Sequence, residues 1–135
     1  MDKHIVKIKQ INWIDAENTE AEILFEMEGL QFWAFCHPCN FREGDTAEVY
    51  FSFLEEDIAE SSFWNENAER KMEIISSNNN NWRYYCYGRL KSIHPVEIDC
   101  GSIVFSSGDW INDERCVGSY VYFVISRLDM TRLEN

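Results

Sequence analysis

Apolar side chains alternate with polar ones along most of this chain. Between Ala21 and Met27 every second residue is apolar, and the positions between them include Glu22 and Glu26. The same period of two recurs over residues 46–53. A period of two is that of a β-strand with one face in the core and one face in solvent. The chain is therefore expected to fold mainly as β-sheet.

The same criterion locates the other strands. The first predicted strand runs from about Ile5 to Ile14, and its parity changes near Gln10, which predicts a β-bulge there. Further strands are predicted at 31–36, 82–93, 96–98 and 102–105, and the last one contains Val121, Phe123 and Ile125. The predicted core residues are those of the inward parity, such as Phe51 in the strand that follows Gly44.

One segment breaks the alternation. Within residues 61–75 the apolar residues recur at spacings of four, four and three, as on one face of a helix: Trp64, Ala68, Met72 and Ile75. We therefore predict one α-helix at about 61–75. The polar run at 76–81, Ser-Ser-Asn-Asn-Asn-Asn, has no apolar residue to anchor it. It is predicted to be a mobile loop.

Length and element order indicate the architecture. A chain of 135 residues is long enough for a single domain, 1–135, with one core. Strands, one helix and strands again are typical of a mainly β (α+β) fold. We predict a small antiparallel β-barrel or strongly bent sheet that the helix closes or covers. This order is similar to that of OB-like barrels, although no residue motif accompanies the similarity, and no binding site is inferred from it.

A short internal similarity accompanies this division. Residues 44–55, GDTAEVYFSFLE, align without gaps on residues 118–129, GSYVYFVISRLD. Each copy is a glycine turn that leads into a long strand. The similarity indicates either a duplication or two strands that meet the same structural demand.

Negative charge is concentrated in one part of the chain. The net charge is −12, but residues 15–69 alone carry −14. Such a field repels nucleic acid and anionic membranes and attracts cationic surfaces, so a basic protein partner is expected and a nucleic-acid partner is not. The alternative is a merely solvated acidic surface. The candidate partner-binding residues are the acids of this stretch: Glu20, Glu22, Glu55, Glu56, Asp57, Glu60 and Glu66.

Outward-facing aromatic residues form an alternative site. They lie on predicted strands, with the bases Arg83, Arg89 and Lys91 nearby, and a sheet with exposed rings and bases can stack single-stranded nucleic acid. The opposing interpretation is that these rings pack beneath another layer of the protein. The residues of this alternative aromatic surface are Trp33, Tyr85, Tyr87, Tyr120 and Tyr122.

The segment Cys36-His37-Pro38-Cys39 is the most conspicuous motif of the chain. A structural zinc site needs four ligands, and the sequence offers no second closely spaced pair. A thioredoxin-type pair needs its first cysteine at a helix N-terminus, and the residues after Cys39 do not have a helical pattern. We therefore predict a loop between two strands, with Cys36 as a small core residue and with no metal or other cofactor.

The predictions of compartment and of enzymatic activity rest on signals and motifs that the sequence does not contain. An odd number of cysteines, five, without a secretory signal predicts reduced thiols in the cytoplasm. No stretch approaches ~18 uninterrupted apolar residues, so no membrane span is expected. The chain has no nucleophile elbow, phosphate-binding glycine loop or H-E-x-x-H motif, so no catalytic residue is assigned.

These observations favour a non-enzymatic, cytoplasmic, acidic interaction protein that binds a basic protein partner. In size and charge the chain resembles small acidic bacterial proteins that neutralise toxins, including immunity proteins against nucleases. That resemblance implies an immunity- or antitoxin-type inhibitor, because a nuclease presents a cationic groove to which an acidic protein can bind quickly. The alternatives are an OB-like module that binds nucleic acid or another ligand with the outward tyrosines, and an enzyme of unrecognised type.

Overall fold

The computed structural model of the protein describes residues 3–55, 67–77, 80–106 and 108–133. Within these residues the chain forms nine strands and one short 3-10 turn, Glu114–Cys116, which confirms a mainly β fold. The strands are β1 (His4–Asp15), β2 (Glu20–Met27), β3 (Leu30–Cys36), β4 (Thr46–Glu55), β5 (Glu73–Ser77), β6 (Asn80–Ile93), β7 (Val96–Asp99), β8 (Val104–Ser106) and β9 (Tyr120–Arg132).

The strands close into an eight-stranded barrel. The hydrogen-bonded order is β1-β2-β3-β9-β4-β8-β7-β6-β5, and additional pairings join β1 to β4 and β9 to β6. In the described part of the chain β5 pairs with β6 alone, at the edge of the barrel wall. The expectation of a purely antiparallel sheet was wrong, because β3 runs parallel to β9 and β4 runs parallel to β8. The OB-like element order is not confirmed.

The predicted inward parity forms the core. Phe51 is fully buried and its ring stacks on that of Phe25, with 5.3 Å between the ring centroids. The bulge predicted in the first strand is also present, because the register of β1 against β2 shifts between Ile8 and Gln10. The correctly predicted buried residues of the alternating strands are Ala21, Ile23, Phe25, Met27, Ala47, Val49, Phe51, Val121, Phe123 and Ile125.

The predicted helix at about 61–75 is not formed by the described residues of that segment. Residues 61–66 lie outside the described residues, 68–69 make a turn, and Glu73–Ser77 is strand β5. Arg70 has a φ of 56°, which a right-handed helix does not allow. The buried Asn67 explains the alternative conformation. Its side-chain amide donates to the carbonyls of Gly88 and Val121 at 3.2 and 3.0 Å, and this attaches the segment to β6 and β9.

The polar run at 76–81 is largely part of a hairpin. Ser76 and Ser77 belong to β5, and β6 already begins at Asn80, which pairs with Ser77. The two residues between them lie outside the described residues. Four residues of the predicted six-residue loop, 76, 77, 80 and 81, therefore belong to strands, and the mobility of the run stays a prediction.

A tyrosine hydroxyl replaces a strand neighbour at one place in the barrel wall. Between β3 and β9 the register pairs Phe35 with Asp129, and towards the start of β3 the side chain of Tyr84 from β6 meets the β3 backbone. The Tyr84 hydroxyl accepts from the Trp33 N–H at 2.9 Å and donates to the Trp33 carbonyl at 2.7 Å. One side-chain group thus satisfies both backbone groups of Trp33.

Candidate functional site

The end of the β1–β2 hairpin places two exposed apolar side chains beside acidic ones. Trp13 and Ile14 are each 50% exposed. Directly after them, Asp15 of β1 faces Glu20 of β2 as its cross-strand partner. Glu17 is exposed in the connecting turn. We call Trp13, Ile14, Asp15, Glu17, Glu20 and Glu22 the acidic hairpin.

Two carboxylates of the acidic hairpin face each other across the strands, in spite of their like charge. Like charges directly opposite one another on neighbouring strands destabilise a sheet, and this is the relation of Asp15 to Glu20. Asp15 is held by its turn: it accepts hydrogen bonds from the side-chain amide and the backbone N–H of Asn18 at 2.6 and 3.3 Å, and these lower the pKa of its carboxyl group. By contrast, Glu26 further along β2 forms an ion pair with Lys9, with 3.4 Å between nitrogen and oxygen.

The predicted acidic residues are thus only partly placed. Glu20 and Glu22 lie half-buried on the outer face of β2, as their parity predicts. Glu55 ends β4. The other predicted acids lie outside the described residues: Glu56, Asp57, Glu60 and Glu66.

Sequence reasoning did not single out Trp13 and Ile14. The available signal was two consecutive large apolar residues near the end of a strand, of which alternation can direct one towards the core. The structure leaves both half-exposed, after a further register shift between Trp13 and Asp15.

The outward tyrosines lie together on β6 and β9. Tyr87 and Tyr122 are cross-strand partners whose ring centroids are 4.7 Å apart. Tyr85 lies on β6 and Tyr120 on β9 with the same outward parity, and all four rings are half-buried. Trp33 belongs to β3, where its cross-strand partner is Leu24 of β2. The predicted aromatic surface therefore consists of four tyrosines, and Trp33 lies beside the outer face of the acidic strand β2.

Cations lie over three of these tyrosine rings. The distances from charge to ring centroid are 5.7 Å for Arg70 on Tyr120, 5.3 Å for Lys71 on Tyr87 and 5.5 Å for Arg83 on Tyr85. Arg70 and Lys71 come from the segment that Asn67 attaches to the sheet. The rings are therefore partly covered by the protein's own chain, as the opposing interpretation expected, and they retain a cationic surrounding.

A groove of about 390 Å³ lies between the start of β3 and β5. This volume falls within the range of small-molecule sites. Its wall is of mixed polarity and includes the exposed side chains of Leu30 and Met72, and Glu73 is its charged member. The complete lining is Leu30, Gln31, Phe32, Met72, Glu73, Ile74, Ser76, Cys100 and Ser102.

The cysteine motif is a loop between β3 and β4, as predicted, and Cys36 is a core residue with 1% exposure. The loop is joined to the acidic hairpin, because the Cys39 N–H donates to the Thr19 carbonyl at 2.7 Å. Interaction between the two cysteine side chains raises the pKa of Cys36 and lowers that of Cys39 to about 6. In the part of the chain that the structure describes, no three His, Cys, Asp or Glu side chains are grouped to hold a metal ion.

Comparison with known proteins gives no family for this chain: no family model, curated protein or solved structure matches it. The described residues also contain no helix that is long and apolar enough to cross a membrane.

Proposed function

We propose that this protein is a non-enzymatic cytoplasmic interaction domain whose acidic hairpin binds a basic protein partner. The observation that carries the proposal is the exposure of Trp13 and Ile14 directly beside Asp15 and Glu20. Interfaces commonly combine a few aromatic anchors with a charged rim. In the acidic hairpin the anchors are apolar and the rim carries one sign of charge, which selects a cationic partner.

The two parts of the hairpin contribute differently. Trp13 and Ile14 remove apolar area from water on binding, which mainly slows dissociation. Glu17, Glu20 and Glu22 attract a cationic surface before contact, which mainly raises the association rate, and salt screens this attraction over a Debye length of about 8 Å at physiological ionic strength. Residues 15–69 together carry a net charge of −14, so the negative field extends beyond the acidic hairpin.

A basic nuclease is the specific partner that the charge favours. Its phosphate-binding groove is cationic, so an acidic protein competes with nucleic acid for it. In this form of the proposal the protein is an immunity- or antitoxin-type inhibitor, which agrees with its small size and net charge of −12.

The test begins with affinity capture of the partner from the source cell and identification by mass spectrometry. Association rates are then measured at several salt concentrations for a triple variant, Glu17→Gln, Glu20→Gln and Glu22→Gln. We expect association about tenfold slower at low salt and a flatter salt dependence, since electrostatic steering contributes factors of about 10–10³. The Trp13→Ala variant should instead raise the dissociation rate.

A matched control removes three exposed acids from the part of the chain where charge is balanced: Glu73, Asp109 and Glu114, changed to Gln, Asn and Gln. This control should associate within about twofold of the native rate, because it leaves the hairpin field in place. Equal slowing by both triple variants would show that net charge alone matters and that the hairpin is not the site.

The predicted cluster at the end of β4 is tested in the same assay. A quadruple variant changes Glu55, Glu56, Asp57 and Glu60 to their amides. If it slows association more than the hairpin triple variant, the binding face lies after β4, and the acidic hairpin is a solvated surface.

The tyrosine face supports a second candidate function, binding of single-stranded nucleic acid. The specific observation is the set of three cations over Tyr85, Tyr87 and Tyr120. Base stacking on such rings contributes about 1–3 kcal/mol per base. A fluorescently labelled oligothymidine should then bind with an affinity that falls with salt and with Tyr87→Ala. No binding at low salt would exclude this function.

A further inference from the structure

Two thiols of the β3–β4 loop lie in the same part of the core. Cys36 ends β3 with 1% exposure, and Cys39 is 5% exposed in the loop that follows. The Cys36 thiol contacts the Pro38 carbonyl, with 3.5 Å between sulfur and oxygen, so its sulfur is turned towards the loop and not along the strand. The Pro38 carbonyl belongs to the peptide bond that leads into Cys39, so the Cys36 sulfur lies against the Cys39 backbone, and the two cysteine side chains interact.

The surroundings hold the two cysteines in this relation. Cys36 pairs with Ala21 in the β2–β3 ladder. The Cys39 N–H donates to Thr19 at the end of the β1–β2 hairpin. Two residues, His37 and Pro38, separate the cysteines, and both are exposed at the surface of the loop. The backbone at both cysteines is therefore held by neighbouring strands, and the two residues that separate the cysteines face solvent.

From this geometry we propose that Cys36 and Cys39 are an oxidation site that hydrogen peroxide converts to an intrachain disulfide. The Cys39 thiolate attacks one peroxide oxygen, the O–O bond breaks, and the departing hydroxide takes up a proton to leave as water. Cys39 is then a sulfenic acid. The Cys36 thiol gives up its proton and attacks the Cys39 sulfur, the S–O bond breaks, and a second water leaves. The two sulfurs together lose two electrons, and the peroxide gains them.

The assignment of roles follows from the opposite effects that the two cysteines have on each other. Interaction with the Cys36 side chain lowers the pKa of Cys39 to about 6, so Cys39 is the nucleophile at neutral pH. Cys36 keeps its proton, because interaction with the Cys39 side chain and burial raise its pKa. Burial raises the pKa of Cys86 and Cys100 as well, so these two thiols are expected to stay inert.

The sequence makes this reaction easy to follow. Trypsin cleaves after Lys9 and Arg42, so one peptide, residues 10–42, contains both Cys36 and Cys39 and no other cysteine. Cys86, Cys100 and Cys116 each fall in a separate tryptic peptide. The reduced, folded protein is treated with hydrogen peroxide, its remaining thiols are blocked with N-ethylmaleimide, and the digest is analysed by mass spectrometry.

We expect peptide 10–42 to become about 2 Da lighter than its reduced, unblocked form, and to take up two N-ethylmaleimide groups after treatment with dithiothreitol. In the Cys36→Ser variant the Cys39 sulfenic acid has no resolving thiol, so dimedone should label Cys39. The Cys116→Ser variant is the matched control and should form the disulfide as the native protein does. The rate should fall as the pH is lowered through about 6, because Cys39 becomes protonated.

Two results would overturn the proposal. One is a peptide 10–42 that stays reduced while the protein remains folded at peroxide concentrations that oxidise Cys116. The other is a peptide 10–42 that gains oxygen without losing two hydrogens, which would mean that the two sulfurs do not meet. Neither result depends on a variant that must fold.

Discussion

Replacing Tyr84 by phenylalanine should lower the free energy of unfolding by about 1–3 kcal/mol, because two hydrogen bonds of about 0.5–1.5 kcal/mol each are lost. The ring, which is 1% exposed, keeps its packing against Phe32, and only one oxygen is removed. That oxygen is the partner of both the N–H and the carbonyl of Trp33. The variant therefore measures what the hydroxyl contributes on the side of Trp33 that faces away from β2, where no described strand pairs with it.

The matched control is Tyr85→Phe, at the next position of β6 and on the outer, half-buried face. It should change stability by no more than about 0.5 kcal/mol, as is usual for surface substitutions. Urea unfolding followed by tryptophan fluorescence gives both values, and the m-value should not change. Equal stabilities for the two variants would refute the argument that the Tyr84 hydroxyl takes the place of a strand.

The same site gives a pH dependence. Burial raises the pKa of Tyr84 in the folded protein above its ordinary value of 10. A group with a raised folded pKa contributes stability that is fully present below the unfolded pKa and is lost as pH rises above it. The native protein should therefore lose stability above about pH 10, and Tyr84→Phe should lose less over the same interval.

The remaining predictions concern the core, the segment that Asn67 attaches to β6 and β9, and the loop that contains Cys36 and Cys39. Phe51→Ala should lower the free energy of unfolding by about 3–5 kcal/mol, the usual cost of deleting a buried ring, and Tyr50→Ala should cost much less; equal losses in urea melts would contradict the parity assignment. Asn67→Ala should cost about 2–4 kcal/mol, since backbone groups of three residues lose their partner, and tyrosine fluorescence should change as the segment detaches. Protein purified without chelator should contain no stoichiometric zinc by elemental analysis; zinc that is lost on mutating Cys36 and Cys39 to serine would contradict this.

Alternation was sufficient to predict most strands and their buried faces, because a period of two is a direct consequence of strand geometry. It also located the bulge in β1, since an extra residue reverses the parity at Lys9. Alternation did not predict which strands lie next to one another. Parity does not distinguish a parallel neighbour from an antiparallel one, so the β3–β9 and β4–β8 contacts could not be derived from it.

The incorrect prediction of a helix at about 61–75 shows that a short periodic pattern is not sufficient to identify a helix. Met72 and Ile75 fitted a helical face, yet they are 38% and 45% exposed. The residue that determines the conformation is polar: Asn67, whose amide bonds to backbone groups far away in sequence. Four apolar residues carry little information about period, and a long-range hydrogen bond from one buried amide leaves no periodic trace in the sequence.

The sequence predicted the negative charge of the candidate site but not its exposed apolar residues. The excess of acids between residues 15 and 69 is visible in the sequence, and so is the outward parity of Glu20 and Glu22. The neighbouring Trp13 and Ile14 are exposed because no described part of the chain covers the end of the hairpin, which is a tertiary property. The position of Trp33 was also not predictable from the sequence, because it lies beside β2, and not with the tyrosines, as a result of strand pairing.

The internal similarity of residues 44–55 and 118–129 holds at its start and breaks down near its end. Gly44 and Gly118 both have positive φ, 89° and 96°, and each leads into an alternating buried run. The two strands are direct antiparallel neighbours, but their register shifts between Leu54 and Glu55, where β9 accommodates an extra residue, Ser126. As a result Leu54 is 47% exposed whereas its aligned counterpart Leu128 is fully buried. A duplicated strand would keep its parity to the end, so the loss of equivalence at this position favours two strands that meet the same demand, a glycine turn followed by a long central strand of the barrel.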